Sequence, residues 1–151
     1  GQYDVRVTPL QIAMLSSAIA NKGVLMTPTV VDSVIAPDLS VITPFEAHEY
    51  STPISAKTAK TMVKMMIDAV GSGVSSNAQI PGIKVAGKTG TAENGEGEPY
   101  TLWFTGFAPA DNPQVVVAVV IEDGGGLGQS GRGNTVAAPI ARKVMEAVLA
   151  Q

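Results

Sequence analysis

The residues with the clearest chemical potential lie together at Lys88-Thr89-Gly90-Thr91. An ammonium group precedes two hydroxyls at alternate positions, and in an extended chain alternate side chains share one face. A cation beside paired hydroxyls suits a carboxylate-bearing ligand, because hydrogen bonds to an ionised group are the strong ones. Gly87 and Gly90 fall within residues 84–92, which otherwise read as a strand. Glycine weakens a strand interior and marks places where a ligand or another backbone comes close. The same residues also fit an edge strand whose lysine only keeps the edge soluble. Local sequence leaves both readings open.

Two other patterns compete. Gly82-Ile83-Lys84-Val85-Ala86-Gly87-Lys88-Thr89 satisfies the phosphate-loop spacing G-x-x-x-x-G-K-[ST]. A phosphate loop needs a turn between its glycines and a helix after its hydroxyl, so that amide N–H groups aim at the phosphates. Ile83, Val85 and Ala86 favour a strand instead, and Gly90-Thr91-Ala92-Glu93-Asn94-Gly95 is a poor helix start. After the later strand, Ile121 runs into Glu122-Asp123-Gly124, with no convincing aspartate to hold magnesium. Nucleotide binding is not expected. Gly126-Leu127-Gly128-Gln129-Ser130-Gly131 satisfies G-x-G-x-x-G. A dinucleotide fold requires a following strand with an acidic residue about 20 residues on, and the sequence stops at Gln151. A mobile surface loop is the expectation there.

These motifs need elements to hold them. Thr8-Pro9-Leu10-Gln11 reads as a capping box with proline at the first helical position. Ile12, Leu15, Ile19 and Ala20 supply an apolar stripe, and Gly23 is a helix stop. Residues 24–35 are β-rich, broken at Thr27-Pro28, and predict one or two short strands. Residues 36–53, with Pro37, Pro44 and Pro53, predict an irregular connection or a short hairpin. Ser55 is a plausible cap for a second helix, in which Ala59, Met62, Val63, Met66, Ile67 and Val70 follow helical spacing. Lys57, Lys60 and Lys64 fall on another, solvated face, and the methionines read as gap-filling core. Residues 84–92, 100–109 and 114–121 predict three strands. Seven consecutive apolar residues in the last of them suit a strand covered on both faces. Short gaps make an antiparallel meander. Ala137, Ile140, Ala141, Val144, Met145, Val148 and Leu149 mark a final helix, with Pro139 confined to its first turn. Helices and strands are segregated, so the fold class is α+β.

Composition removes other classes. Of the 151 residues, 45% are apolar and 15% charged, against about 25% charged in an average soluble domain. Such a chain buries a core and is not disordered. Ten basic and 13 acidic residues leave a net charge of −3 with no basic run, which argues against nucleic acid as a partner. No stretch approaches the roughly 18 apolar residues of a membrane helix. Cysteine is absent and His48 is the single histidine, so no metal site is expected. The chain opens at Gly1-Gln2-Tyr3 without a secretory-leader pattern.

Lys88-Thr89-Gly90 resembles the third motif of penicillin-binding proteins and serine β-lactamases. The resemblance is wider. The segment Val7-Thr8-Pro9-Leu10-Gln11-Ile12-Ala13-Met14 and then Ala20-Asn21-Lys22-Gly23-Val24-Leu25-Met26-Thr27-Pro28 resemble the helix and strand that precede that motif in transpeptidase domains. Trp103-Phe104-Thr105-Gly106-Phe107-Ala108-Pro109 resembles the next strand, and Ala137-Ala138-Pro139-Ile140-Ala141 the start of the final helix. The likeness covers nearly the whole chain and is greatest to class B penicillin-binding proteins of the actinobacterial penicillin-binding protein A group. It implies a partial penicillin-binding protein/serine β-lactamase-like fold, an antiparallel sheet packed with helices. It also implies a D,D-transpeptidase that cross-links peptidoglycan stem peptides ending in D-Ala-D-Ala, binds β-lactams, and uses no cofactor. On the matching positions Lys88 would place positive charge beside the nucleophile, and Thr89 and Thr91 hydroxyls would bind the substrate carboxylate. The Thr91 N–H would serve as an oxyanion-hole donor, and Gly90 would let a substrate backbone lie along the strand.

The departures are equally specific. The family nucleophile is a serine in S-x-x-K, and no lysine here has serine three residues before it. Thr61-Met62-Val63-Lys64 is the nearest imitation, in the second helix. Ser75-Ser76-Asn77 matches S-x-N literally but lies just before the Lys-Thr-Gly strand and reads as a turn. Residues 1–151 are therefore expected to be the C-terminal portion of a transpeptidase domain, with any membrane anchor outside the chain, on the extracytoplasmic side. The strand over residues 115–121 would carry an unpaired apolar edge. A complementary N-terminal half, or self-association, is expected to cover it. A β-lactam sensor domain or a non-catalytic binding module of the same fold are the alternatives.

Overall fold

The computed structural model describes residues 5–151. Gly1-Gln2-Tyr3 lie outside the described residues. The first helix, α1 (Pro9–Ala20), begins as its capping box requires: Gln11 N donates to Thr8 Oγ1 at 3.2 Å, and Thr8 N donates to Gln11 Oε1 at 2.8 Å. Such a cap contributes about 1 kcal/mol. After it, Lys22 and Gly23 turn the chain with φ of 56° and 99°. A Cβ at Gly23 would run into the carbonyl of Ile54, so only glycine fits there.

The buried face of α1 differs from the expected stripe. Leu15 is 58% exposed, whereas Ser16 is fully buried. The reason is a polar partner: Ser16 Oγ lies 2.7 Å from Thr105 Oγ1, which also donates to the Val117 carbonyl at 3.1 Å. A buried hydroxyl is tolerated when it is hydrogen-bonded.

Beyond α1, β1 (Leu25–Met26) pairs antiparallel with β4 (Glu49–Ser51), and β2 (Val34–Ile35) with β3 (Val41–Thr43) forms a small hairpin between them. Helix α2 (Ala56–Gly71) is capped by Ser55, whose Oγ accepts from Thr58 N at 3.1 Å. It buries Ala59, Met66 and Val70, while Lys57, Lys60 and Lys64 face solvent as expected. Its methionines divide. Met66 fills the core, but Met62 and Met65 lie on the surface.

The main sheet is the expected meander, β5 (Ala86–Ala92), β6 (Thr101–Ala108) and β7 (Val115–Ile121), all antiparallel in that order. Helix α3 (Ala137–Leu149) covers one face, where Phe104, Ala108 and Val117 pack with Ala137, Ala141 and Met145. Helices α1 and α2 cover the other, where Ile19 and Met66 meet Ala86 and Phe107. Both faces of β7 are thus packed, which accounts for its unbroken apolar run. The outer edge of β7 has no strand partner among the described residues. Pro139 sits in the first turn of α3. The apolar stripe of α3 is split between two faces: Ala137, Ala138, Ala141 and Met145 are buried, while Ile140, Val144 and Val148 face outward.

Phe104 is fully buried at the centre of the larger core. Phe104→Ala is expected to cost about 3–5 kcal/mol, read as a lowered denaturation midpoint at unchanged slope.

Candidate active site

Among the described residues β5 has a strand neighbour on one side only, so half of its backbone groups point away from β6. Thr89 shows which half. Its N–H donates to Ser75 Oγ at 3.1 Å, and its carbonyl accepts from Lys88 Nζ at 2.6 Å. Both groups therefore lie on the open edge, and alternation puts the N–H of Thr91 on that edge as well.

The side chains divide between faces. Thr89 and Thr91 share a face, as alternation requires, and it is the face covered by α3. Thr89 stands opposite Phe104 of that core, and Thr91 Oγ1 accepts from Gly133 N at 3.3 Å, just before α3. Lys88 starts from the other face, opposite Thr105, whose hydroxyl meets Ser16 of α1. The cation and the hydroxyls do not form one cluster on a face. The flexible lysine stem instead bends round the strand and brings its ammonium to the edge carbonyl of Thr89. Lys88 is exposed, and Thr89, Gly90 and Thr91 are half-buried. Gly90 lies across from Trp103, and a Cβ there would press on the Trp103 side chain at 3.2 Å.

Two loops hold the threonines from behind. Ser75, fully buried, opens a 3-10 turn at Ser76–Ala78 and bonds Thr89 through both its N–H and its hydroxyl, the latter at 3.4 Å. Thr89 Oγ1 donates to the Val74 carbonyl at 3.3 Å. Asn77 N donates to Asn134 Oδ1 and Asn77 Nδ2 to the Asn134 carbonyl, each at 3.0 Å, which joins the two loops. Sequence spacing missed this assembly. The partners lie 14 and 57 positions apart, and Ser75-Ser76-Asn77 showed only turn character. Its turn geometry is nonetheless as expected.

A cleft of about 1050 Å³ opens where β5 ends, lined by Ala92, Glu93, Tyr100, Trp103 and Glu122. Lys88, Thr89, Gly90 and Thr91 do not line it. Thr61 of the nearest S-x-x-K imitation is exposed on α2, its hydroxyl donating to the Lys57 carbonyl at 3.1 Å. No cluster of metal-ligating side chains occurs among the described residues.

The competing templates fail on geometry. Residues 82–89 run from a turn into β5, and β5 continues to Ala92, so no helix N-terminus follows Thr89. Residues 126–131 lie at the surface in two 3-10 turns, as a loop. Gln129 Nε2 of that loop donates to the Glu98 carbonyl at 3.0 Å.

Residues 1–146 match the penicillin binding protein transpeptidase domain. The chain belongs to this family. It is 40% identical over 152 residues to the peptidoglycan D,D-transpeptidase PbpA of Mycolicibacterium smegmatis, covering 99% of this chain and 30% of that protein. The stage V sporulation protein D of Bacillus subtilis is 35% identical over 150 residues, 93% of this chain and 22% of its own length. Among solved structures, penicillin-binding protein A from M. tuberculosis, an acyl-enzyme complex, superposes with a TM-score of 0.92 at 39% identity, covering 99% of this chain and 34% of that one. Penicillin-binding protein 3 from the same organism, complexed with aztreonam, gives 0.78 at 28% identity, covering 95% and 35%. The chain thus spans between about a fifth and about a third of the length of these relatives. The α+β architecture is that of a fragment of the penicillin-binding protein fold.

Since β5 offers no phosphate cradle, millimolar Mg-ATP is expected to leave the melting temperature unchanged, as followed by differential scanning fluorimetry.

Proposed function

We propose that this chain supplies the Lys-Thr-Gly strand of a D,D-transpeptidase that cross-links peptidoglycan stem peptides through a serine acyl-enzyme. The observation that carries this reading is the side of β5 turned away from β6, where no strand of the described residues pairs and where the Lys88 ammonium meets the Thr89 carbonyl. The names of the relatives, peptidoglycan D,D-transpeptidases, support the reaction class.

The chemistry proceeds in two transfers. A serine donated by the part of the protein outside this chain attacks the carbonyl carbon of the D-Ala-D-Ala bond. The C–N bond breaks, the terminal D-Ala leaves with a proton on its nitrogen, and the stem remains as an ester on the serine. An amine of a neighbouring stem then attacks the ester, forming the cross-link and returning the serine hydroxyl. The Lys88 ammonium lies beside the nucleophile, where it favours the serine oxygen in its reactive form. The N–H of Thr91 faces the developing oxyanion, and the hydroxyls of Thr89 and Thr91 receive the terminal carboxylate. Gly90 leaves room for the substrate backbone along the edge. β-Lactams enter the same path as mimics of the D-Ala-D-Ala end and stop at the ester. The peptidoglycan substrate puts the site on the extracytoplasmic face of the membrane, with the anchor in another part of the protein. Among the described residues no helix is long and apolar enough to cross a membrane.

The uncovered apolar surfaces fit a missing remainder of the domain. Helices α1 and α2 leave a groove of about 480 Å³ lined by Met14, Leu15, Ala18, Ile19, Ile54 and Met62. Among the described residues, the outward row on α3 and the outer edge of β7 are also uncovered. The N-terminal portion of the domain occupies these surfaces in the whole protein, and in its absence the chain associates with itself.

Thr91→Pro removes the outward N–H at a position where an edge strand tolerates proline. In the full-length protein, covalent penicillin labelling of Thr91→Pro is expected to fall about 10²–10³-fold below that of Thr91→Ala. Equal labelling of the two variants removes the oxyanion role. The isolated chain is expected to take no covalent penicillin label and to elute above its monomer mass in size-exclusion chromatography. A labelled serine found in it by mass spectrometry overturns the assignment of the nucleophile to another segment.

A further inference from the structure

We propose that Ser75 is a positioning residue for Thr89, braced through Asn77 and Asn134, and that this clamp aims the Thr89 hydroxyl at the substrate carboxylate. The proposal rests on the carboxylate-binding role given to Thr89 above.

Ser75 is one of two fully buried polar side chains among the described residues, the other being Ser16. Its bonds go to a single residue. Ser75 Oγ accepts from Thr89 N at 3.1 Å and donates to Thr89 Oγ1 at 3.4 Å. An outward N–H on an edge strand ordinarily stays open to water or to an incoming strand. At Thr89 the protein closes that position itself, so a peptide added along the edge cannot pair there.

The same contact directs the hydroxyl. A threonine hydroxyl has one proton to give and two lone pairs. With the Ser75 proton directed at one lone pair, the Thr89 proton goes elsewhere, and it goes to the Val74 carbonyl at a long 3.3 Å. A carboxylate is a stronger acceptor than that neutral carbonyl and takes the proton over. Donation from Ser75 polarises the Thr89 O–H and strengthens the bond it makes onward.

Ser75 needs a fixed loop to do this, and the Asn77–Asn134 pair provides one, with Asn134 Nδ2 also donating to Ser76 Oγ at 3.4 Å. The neighbouring Gly133 donates to Thr91 Oγ1 at 3.3 Å. The two threonines are thus held by two loops that are bonded to each other. Side-chain volume at residue 133 would strike the carbonyls of Gly90 and Trp103, so glycine lets that loop lie flat on the strand.

The test compares second-order acylation rates of the full-length protein with benzylpenicillin and with its methyl ester, which lacks the negative charge. Ser75→Ala is expected to slow acylation by the acid about tenfold and by the ester less than about twofold. Asn77→Ala, an exposed position that spares the core, is expected to shift the acid rate in the same direction by about threefold. A purely structural role lowers both rates together and overturns the proposal. So does an unchanged acid rate in both variants, or in Asn77→Ala alone where Ser75→Ala does not fold. Thr89→Val separates this failure from a deeper one. If Thr89→Val slows the acid selectively and the other variants do not, only the clamp is wrong. If Thr89→Val shows no difference between acid and ester, the carboxylate role of Thr89 falls and the clamp falls with it.

Discussion

The structure depends on one asymmetry: among the described residues β5 pairs with another strand on one side only. An edge strand is usually a liability, because its unpaired groups recruit other chains. Here the exposed side of β5 carries the groups that the proposed chemistry needs, and the protein manages the risk by filling individual positions. Lys88 covers the carbonyl of Thr89, and Ser75 covers its N–H. Charge and a loop hydroxyl do what a further strand would otherwise do.

Everything else in the fold keeps that edge in place. Phe104 and Phe107 alternate along β6, one into the core under α3 and one into the core under α1 and α2. The middle strand is therefore gripped from both sides, and β5 inherits its position through the register that sets Lys88 against Thr105 and Gly90 against Trp103. Ser16 and Thr105 add a polar tie between α1 and the sheet, directly across from Lys88. Small residues at Gly87 and Gly106 let strands and rings approach where a side chain would collide with Phe104 or with the Ala86 carbonyl.

Much of this was legible in the sequence, and the reasons are local. The capping box at Thr8, the cap at Ser55, the meander and the helix starting near Pro139 all have signals within a few residues. The Lys-Thr-Gly setting and its flanking segments carried the family. What was not legible depends on distant partners. Leu15 and Ser16 exchange the roles expected of them because Thr105, on a strand 89 positions away, offers Ser16 a hydrogen bond. Lys88 was expected beside the threonine hydroxyls, yet alternation sends it to the opposite face and only its long stem brings the ammonium back. Gln129 in the 126–131 loop likewise bonds Glu98, in the segment before β6, a pairing that no local signal marks.

The meander has a further consequence, for the order in which the molecule is made. β5, β6 and β7 follow one another with short connections, so their contacts close over small loops, and local contacts form quickly. The receiving strand can thus take shape without waiting for distant parts of the chain. The cost is a period in which greasy helix flanks and a bare sheet margin stand open to the wrong neighbour, the period in which a chaperone has the most to protect.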